Sequence, residues 1–216
     1  EQVLQDVDKK GLAKSQMSIL DALLKLRQIC CHPRLLKLDM PGFSTNLPSG
    51  KFDAFKDMVT DIIAEGHKVL VFSQFVQMLH IIRSWLQINE TPFAYLDGSS
   101  KDRFDQVDMF NNTPEIPIFL ISLKAGGTGL NLTSADYVIH YDPWWNPAVE
   151  SQATDRTHRI GQTRQVFSYK MICRNTVEEK ILKLQEMKKD VAEAIIPGQD
   201  AWKALTRDDL EMLFEV

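Results

Sequence analysis

Two runs of this chain, Val69-Leu70-Val71-Phe72 and Ile118-Phe119-Leu120-Ile121, place no polar residue at alternate positions. A strand with one face in water alternates apolar and polar side chains, so these runs predict strands covered on both faces. Such strands belong to parallel sheets packed between helices, and the sequence between them has helical period. Phe52, Phe55, Val59 and Ile62 form a stripe over Lys51 to Ala64, which Gly66 stops. Met78, Ile81, Ile82, Trp85 and Leu86 form a second stripe, and Phe104, Val107 and Phe110 a third. Phe93 to Leu96, Tyr137 to Tyr141 and Val166 to Ile172 supply the remaining strands. The expectation is an α/β fold with a parallel sheet and helices on both faces, its functional loops at the carboxyl ends of the strands.

The flanks read as helical. Ile19, Leu23, Leu26 and Cys30 make a stripe ended by Pro33, and residues 39–50 (DMPGFSTNLPSG) are the one clear linker. Thr176 and Glu179 have capping-box spacing ahead of a stripe of Val177, Ile181, Leu184, Val191 and Ile195 that stops near Pro197-Gly198. The tail LTRDDLEMLFEV has a Leu/Phe face suited to docking on the domain or on a partner. Three cysteines, two of them adjacent, exclude a disulfide framework and point to a reducing compartment. Cys30-Cys31-His32 lacks the separated ligand pairs of a zinc site, so no metal is assigned. No apolar run approaches the ~20 residues of a membrane span, and EQVLQDVDKK has no signal-peptide core and reads as a start within a longer chain. The expected setting is intracellular and off the membrane.

Net charge is −4, against a generally basic surface, but Arg156, Arg159, Arg164, Lys170 and Arg174 crowd one stretch. Asn146 fits a helix N-cap and Pro147 a first helical position. On that helix Gln152, Arg156 and Arg159 share one face, suited to a polyanion or to plain solvation. Gly126, Gly127 and Gly129 follow a strand and leave amides that a phosphate can approach. Ser73 and Ser99 follow two other strands, where serines either cap a helix or meet phosphate.

GGTGLNLTSADYVIHYDPWWNP followed by QATDRTHRIGQ resembles the fifth and sixth helicase motifs of the Swi/Snf family of superfamily-two DNA-dependent ATPases. LLKLRQICCHPRLL is similar to the helix preceding that family's second lobe, KVLVFSQFVQML to its fourth motif, and YLDGSS to another DNA-facing loop. The resemblance implies the C-terminal of two RecA-like lobes. Residues 1–50 would then be a helical lead-in and linker, 51–174 the lobe, and 175–216 brace helices and tail. It implies arginine fingers at Arg156 and Arg159, with Gln152 as the motif's first polar position. It puts Gly129 and Asn131 near the nucleotide, together with those two arginines. DNA contacts are implied for Ser73, Gln74, Ser99, Arg103, Lys124, Gly126, Gly127 and Thr128. Trp144 and Trp145, at a strand end, are placed on sugar or phosphate, with one of the indoles in the core. The implied ligands are ATP with Mg2+, held mainly by the first lobe, and double-stranded DNA. The implied protein partners are the first lobe of the same parent chain and a nucleosome or other DNA-bound protein. The setting would be cytoplasm and nucleoid in a bacterium, or the nucleus in a eukaryote.

ATP hydrolysis requires a phosphate loop with its lysine and an acid pair. Gly50-Lys51 is followed by Phe52 and has no upstream glycine in position. Asp142 ends a strand resembling a Walker-B segment, but Pro143 stands where a second acid belongs. The chain is therefore expected to be silent as an ATPase alone. The rival reading is a binding module that holds nucleic acid or protein without an ATP cycle. A Rossmann enzyme is disfavoured, because GGTG is not G-x-G-x-x-G.

Overall fold

In the computed structural model the described residues are 11–36, 47–126, 130–144, 165–187 and 206–214. The chain divides into two compact units, Gly50–Met171 and a second built from Glu1–Ser49 with Ile172–Val216.

The Gly50–Met171 unit alternates helix and strand: α2 (Gly50–Ala64), β1 (Val69–Ser73), α3 (Val76–Ile88), β2 (Phe93–Leu96), α4 (Arg103–Asn112) and β3 (Ile118–Ser122). A single turn, α5 (Leu123–Gly126), then leads to β4 (Tyr137–His140) and β5 (Phe167–Lys170). All pairings are parallel, in the order β2-β3-β1-β4-β5. Every residue of β1 and β3 is buried, as their unbroken apolar sequence predicts. One face of the sheet supports a core that includes Leu70, Phe72, Phe110, Phe119, Ile121 and Val138. β5 differs, because all four of its residues are exposed at the sheet edge. Its rings stack on Tyr137 of β4, Phe167 at 5.2 Å and Tyr169 at 6.1 Å between centroids.

At the amino edge, His67 Nδ1–H donates to Asp136 Oδ2 at 2.6 Å and the Lys68 N–H donates to Asp136 Oδ1 at 3.2 Å. This sets the start of β4 against the start of β1. Lys68 Nζ closes α4 by donating to the carbonyls of Phe110, at 2.5 Å, and Thr113, at 2.8 Å. Burial lowers the Lys68 pKa, and nearby Glu115 opposes that shift. Gly66 turns the chain out of α2 at φ 80°, where a Cβ would be strained. Its N–H donates to the Ile63 carbonyl and the next N–H, of His67, to that of Ile62, closing the helix end.

Phe104 departs from the expected α4 stripe: it is 86% exposed, and Phe110 alone on this helix is fully buried. The reason is position. Phe104 stands in the first turn and, six residues before Phe110, faces about 120° away from it on the helix.

The second unit contains α1 (Leu12–Cys31), a 3-10 turn (Pro33–Leu35), α6 (Val177–Met187) and α7 (Arg207–Phe214). The buried row of α1 is Ser15, Ile19, Leu23, Arg27 and Cys31, a strict i+4 ridge. The predicted stripe is therefore off by one residue after Leu23: Leu26 is exposed and Cys30 half-buried, while Arg27 and Cys31 are buried. On α6 Val177, Ile181 and Leu184 are buried as expected, and so is the charged Glu178. The capping is shifted by one residue. Thr176 Oγ1 accepts the Glu178 N–H, while the Glu179 carboxylate accepts the N–H of Asn175. The tail helix α7 packs on α6 and buries Leu210 and Leu213. None of the described helices is long and apolar enough to cross a membrane.

Leu120 sits at the middle of β3, fully buried and paired with both β1 and β2. Leu120→Ala should cost about 2–5 kcal/mol of stability, read as a lowered urea midpoint with unchanged m-value.

Candidate nucleic-acid interface at the carboxyl edge of the sheet

β1 and β4 end side by side, and one carboxylate joins their exits. Asp142, just past β4, is buried; Ser73 Oγ donates to its Oδ1, and the Gln74 N–H donates to its Oδ2 at 3.2 Å. Ser73 Oγ also accepts the Phe75 N–H at 3.1 Å. The strand-to-helix turn after β1 is therefore fixed by a residue 69 positions away. Ser73 itself is fully buried. Gln74 is half-buried, but its Nε2 is enclosed and meets no acceptor among the described residues. That donor stands at the strand end, in a turn already held rigid through its backbone.

A second carboxylate builds the loop after β2. Asp97 Oδ1 accepts the Ser99 N–H at 2.8 Å and the Ser99 hydroxyl at 2.6 Å, while Oδ2 accepts the Tyr95 hydroxyl at 2.9 Å. The Asp97 N–H donates to Ser100 Oγ at 3.0 Å. The serines thus fold back on Asp97 rather than capping α4, whose N-cap, Asp102, makes no side-chain cap bond. The Ser99 hydroxyl lowers the Asp97 pKa most, with burial opposing. Burial raises the Tyr95 phenol, and its bond to Asp97 adds to the rise. The Arg83 guanidinium lies over the Tyr95 ring at 5.6 Å.

Arg103 begins α4 and reaches across, its Nη2 donating to the Ala125 carbonyl at 3.0 Å. This fastens the loop after β2 to the turn after β3. There Lys124 is exposed and directed to solvent. Trp144, after β4, is half-buried against the core with Val166. Asn131 is exposed, and its carbonyl accepts Asn111 Nδ2 at 2.9 Å. Ser73 ends β1, Gln74, Ser99, Lys124 and Trp144 follow carboxyl ends of the same sheet, and Arg103 ties two of those loops together. Gly126 ends α5. Gly127, Thr128, Gly129, Trp145, Gln152, Arg156 and Arg159 lie outside the described residues, as does the helix expected from Pro147.

Sequence reading missed the organising roles of Asp97 and Asp142. For Asp97 the signal was present, since Asp-Gly-Ser-Ser is suited to an Asx turn with the side chain bonding two residues on. For Asp142 no local signal exists.

The profile of the helicase conserved C-terminal domain matches residues 50–161. The chain belongs to that family. Two solved structures place it in the Swi2/Snf2 branch. It superposes over its whole length on the Sulfolobus solfataricus SWI2/SNF2 ATPase C-terminal domain, at 36% identity and TM-score 0.74, covering 89% of that chain. On the same organism's SWI2/SNF2 ATPase core in complex with dsDNA, identity is 38% and TM-score 0.77, with all of this chain and 45% of that one covered. The human chromatin-remodeling ATPase INO80 is 43% identical over 152 residues, which is 69% of this chain and 10% of that protein. The chain spans between about a tenth and about a fifth of the length of the curated relatives it matches. In this Swi2/Snf2 C-terminal lobe, the parallel sheet is the RecA-like element and its carboxyl edge carries the candidate site.

Because its folded-state pKa is depressed, Asp97 contributes its full stabilisation above the unfolded carboxyl value of about 3.9 and loses it as pH falls through the lower folded value. Asp97→Asn should cost about 1–2 kcal/mol at neutral pH. The gap to wild type should close on acidification, as followed by urea unfolding along a pH series.

Proposed function

We propose that this lobe is half of an ATP-driven motor that tracks the backbone of double-stranded DNA and remodels protein–DNA complexes. The observation that carries this reading is the convergence of Gln74, the Asp97 loop, Lys124 and Trp144 on one edge of a Swi2/Snf2-type sheet. Lys124 offers a solvent-directed ammonium and Trp144 a half-buried indole, while the Ser99 and Ser100 hydroxyls and the enclosed Gln74 amide shape the edge from within. Asp142 and Asp97 hold their turns in place and Arg103 keeps neighbouring loops in register, so little order would be lost on binding.

The nucleotide is held mainly by the first lobe. Lys51 supports this, since it lies buried with its Nζ 5.3 Å over the Tyr141 ring instead of in a phosphate loop. Asp142 likewise holds the turn after β1 rather than being open to a magnesium ion. This lobe would then supply Arg156 and Arg159 to the transferring phosphoryl group, with Gln152 beside them and Gly129 and Asn131 toward the nucleotide. Guanidinium charge placed there matters most when the phosphoryl oxygens carry extra negative charge. The chain alone would bind duplex weakly and hydrolyse nothing. Its protein partners would be the first lobe and a nucleosome or other DNA-bound complex, the second by likeness to the human chromatin-remodeling ATPase.

Two measurements test this. In salt titrations of duplex binding by this chain, Lys124→Gln should weaken binding evenly across sequences and reduce the salt slope by about 1. An unchanged slope, or a loss confined to some sequences, overturns the backbone-tracking reading. In the parent enzyme with saturating duplex, Arg159→Ala should lower kcat by about a hundredfold or more while leaving DNA binding near normal. Lysine should rescue poorly, because an ammonium lacks the forked donor geometry. Wild-type kcat in Arg159→Ala would return that arginine to the solvated surface.

A further inference from the structure

We propose that Cys30, Cys173 and Glu178 form a binding site for a thiophilic divalent cation of the zinc class. None of the three belongs to the residues assigned above to DNA or nucleotide. The sequence concealed the site, because Cys30 and Cys173 are 143 positions apart and Cys30-Cys31-His32 has no ligand spacing of its own.

The fold assembles it within the unit of the two flanks. Cys30 comes from the last turn of α1, Cys173 from the connection before α6, and Glu178 from the first turn of α6. Their donor atoms, two Sγ and a carboxylate oxygen, all lie within 4.8 Å of one another. Ligands on a tetrahedral zinc with bonds of about 2.0–2.3 Å stand roughly 3.3–3.8 Å apart. Rotamer adjustments of about an ångström would therefore close the set. Glu178 is fully buried, while both cysteines are half-buried, so the site has an enclosed floor and an open mouth. The orientation is already built in. Glu178 Oε2 accepts the Cys173 N–H at 2.9 Å, and the Cys173 thiol donates to the Cys30 carbonyl at 3.4 Å. The bond between Glu178 and the Cys173 N–H holds these two ligands together before an ion arrives, while the thiol's bond to the Cys30 carbonyl is given up when the thiol loses its proton.

The donor set selects the metal class. Two sulfurs favour zinc, cadmium and other soft or borderline ions over magnesium and calcium, which take oxygen cages. On coordination each thiol releases its proton to solvent, giving two thiolates and one carboxylate on a divalent ion, a net charge of −1. Water entering through the open mouth completes four-coordination. The bound ion ties the end of α1 to the start of α6, and because the unfolded chain cannot present these ligands together, binding adds to stability.

The test uses cadmium as the probe, added to the 216-residue chain stripped of metal and kept reduced with a phosphine. A thiolate-to-cadmium charge-transfer band should grow and saturate at one ion per chain, and zinc should displace it. Zinc should also raise the thermal midpoint. Cys173→Ser and Glu178→Gln should each weaken cadmium binding by at least ~10-fold. Cys31→Ser should leave both band and affinity unchanged, and circular dichroism confirms that each variant is folded. Absence of the band in the wild-type chain overturns the proposal. So does a band of undiminished strength and affinity in Cys173→Ser, which would move the metal to the adjacent Cys30-Cys31 pair.

Discussion

β1 is covered on both faces by helices and on both edges by β3 and β4. A strand so placed cannot present a functional side chain along its length, because any polar group there would be buried without water. Its chemistry must emerge at its ends. The two ends of β1 are used differently. At the amino end Asp136 accepts from His67 and from the Lys68 N–H, fixing where β4 starts. At the carboxyl end Asp142 accepts from Ser73 and Gln74, fixing where β1 and β4 let go of each other. The same pair of strands is thus clamped by an aspartate at each end, and only the carboxyl end opens into loops with donors to offer.

Those loops share one device, an inward carboxylate that gathers the donors of its own turn. Asp97 gathers the Tyr95 hydroxyl and the Ser99 N–H and hydroxyl, and Asp142 gathers Ser73 and the Gln74 N–H. Both carboxylates are buried. Their charge is satisfied internally and faces no phosphate directly. Outside stand Lys124, Ser99 and part of Trp144, with the exposed Asp102 beside them. A net charge of −4 therefore does not by itself rule out a local surface suited to an anion. The total is set elsewhere, and the local surface sets the interaction.

Fold class was legible because doubly buried strands need unbroken apolar runs, and few other elements of that length have them. Val69 to Phe72 and Ile118 to Ile121 were sufficient for this. Helix faces were legible less evenly. α2 buried Phe55, Val59 and Ile62 of its predicted row, and α6 buried Val177, Ile181 and Leu184, with Val191 and Ile195 outside the described residues. α1 instead rotated onto the Ser15–Ile19–Leu23–Arg27–Cys31 ridge, and α4 left Phe104 in water. Periodicity counts apolar residues but does not register which partner surface a helix meets. A buried Ser15 or Arg27 is invisible to it.

The sequence by itself determined the parallel sheet, the edge on which its loops would fall and the family motifs that place the chain in the Swi2/Snf2 branch. Each of these rests on residues close together in the chain, where periodicity, turn chemistry and motif spacing act. Tertiary structure alone decided that Asp142 is an anchor for Ser73 and Gln74, that Arg103 spans from α4 to Ala125, and that Glu178 and Cys173 meet Cys30. These pairs join residues from 5 to 143 positions apart. Longer separations are closed only by packing of the core, which supplies the free energy to hold polar groups together that no local propensity would have joined.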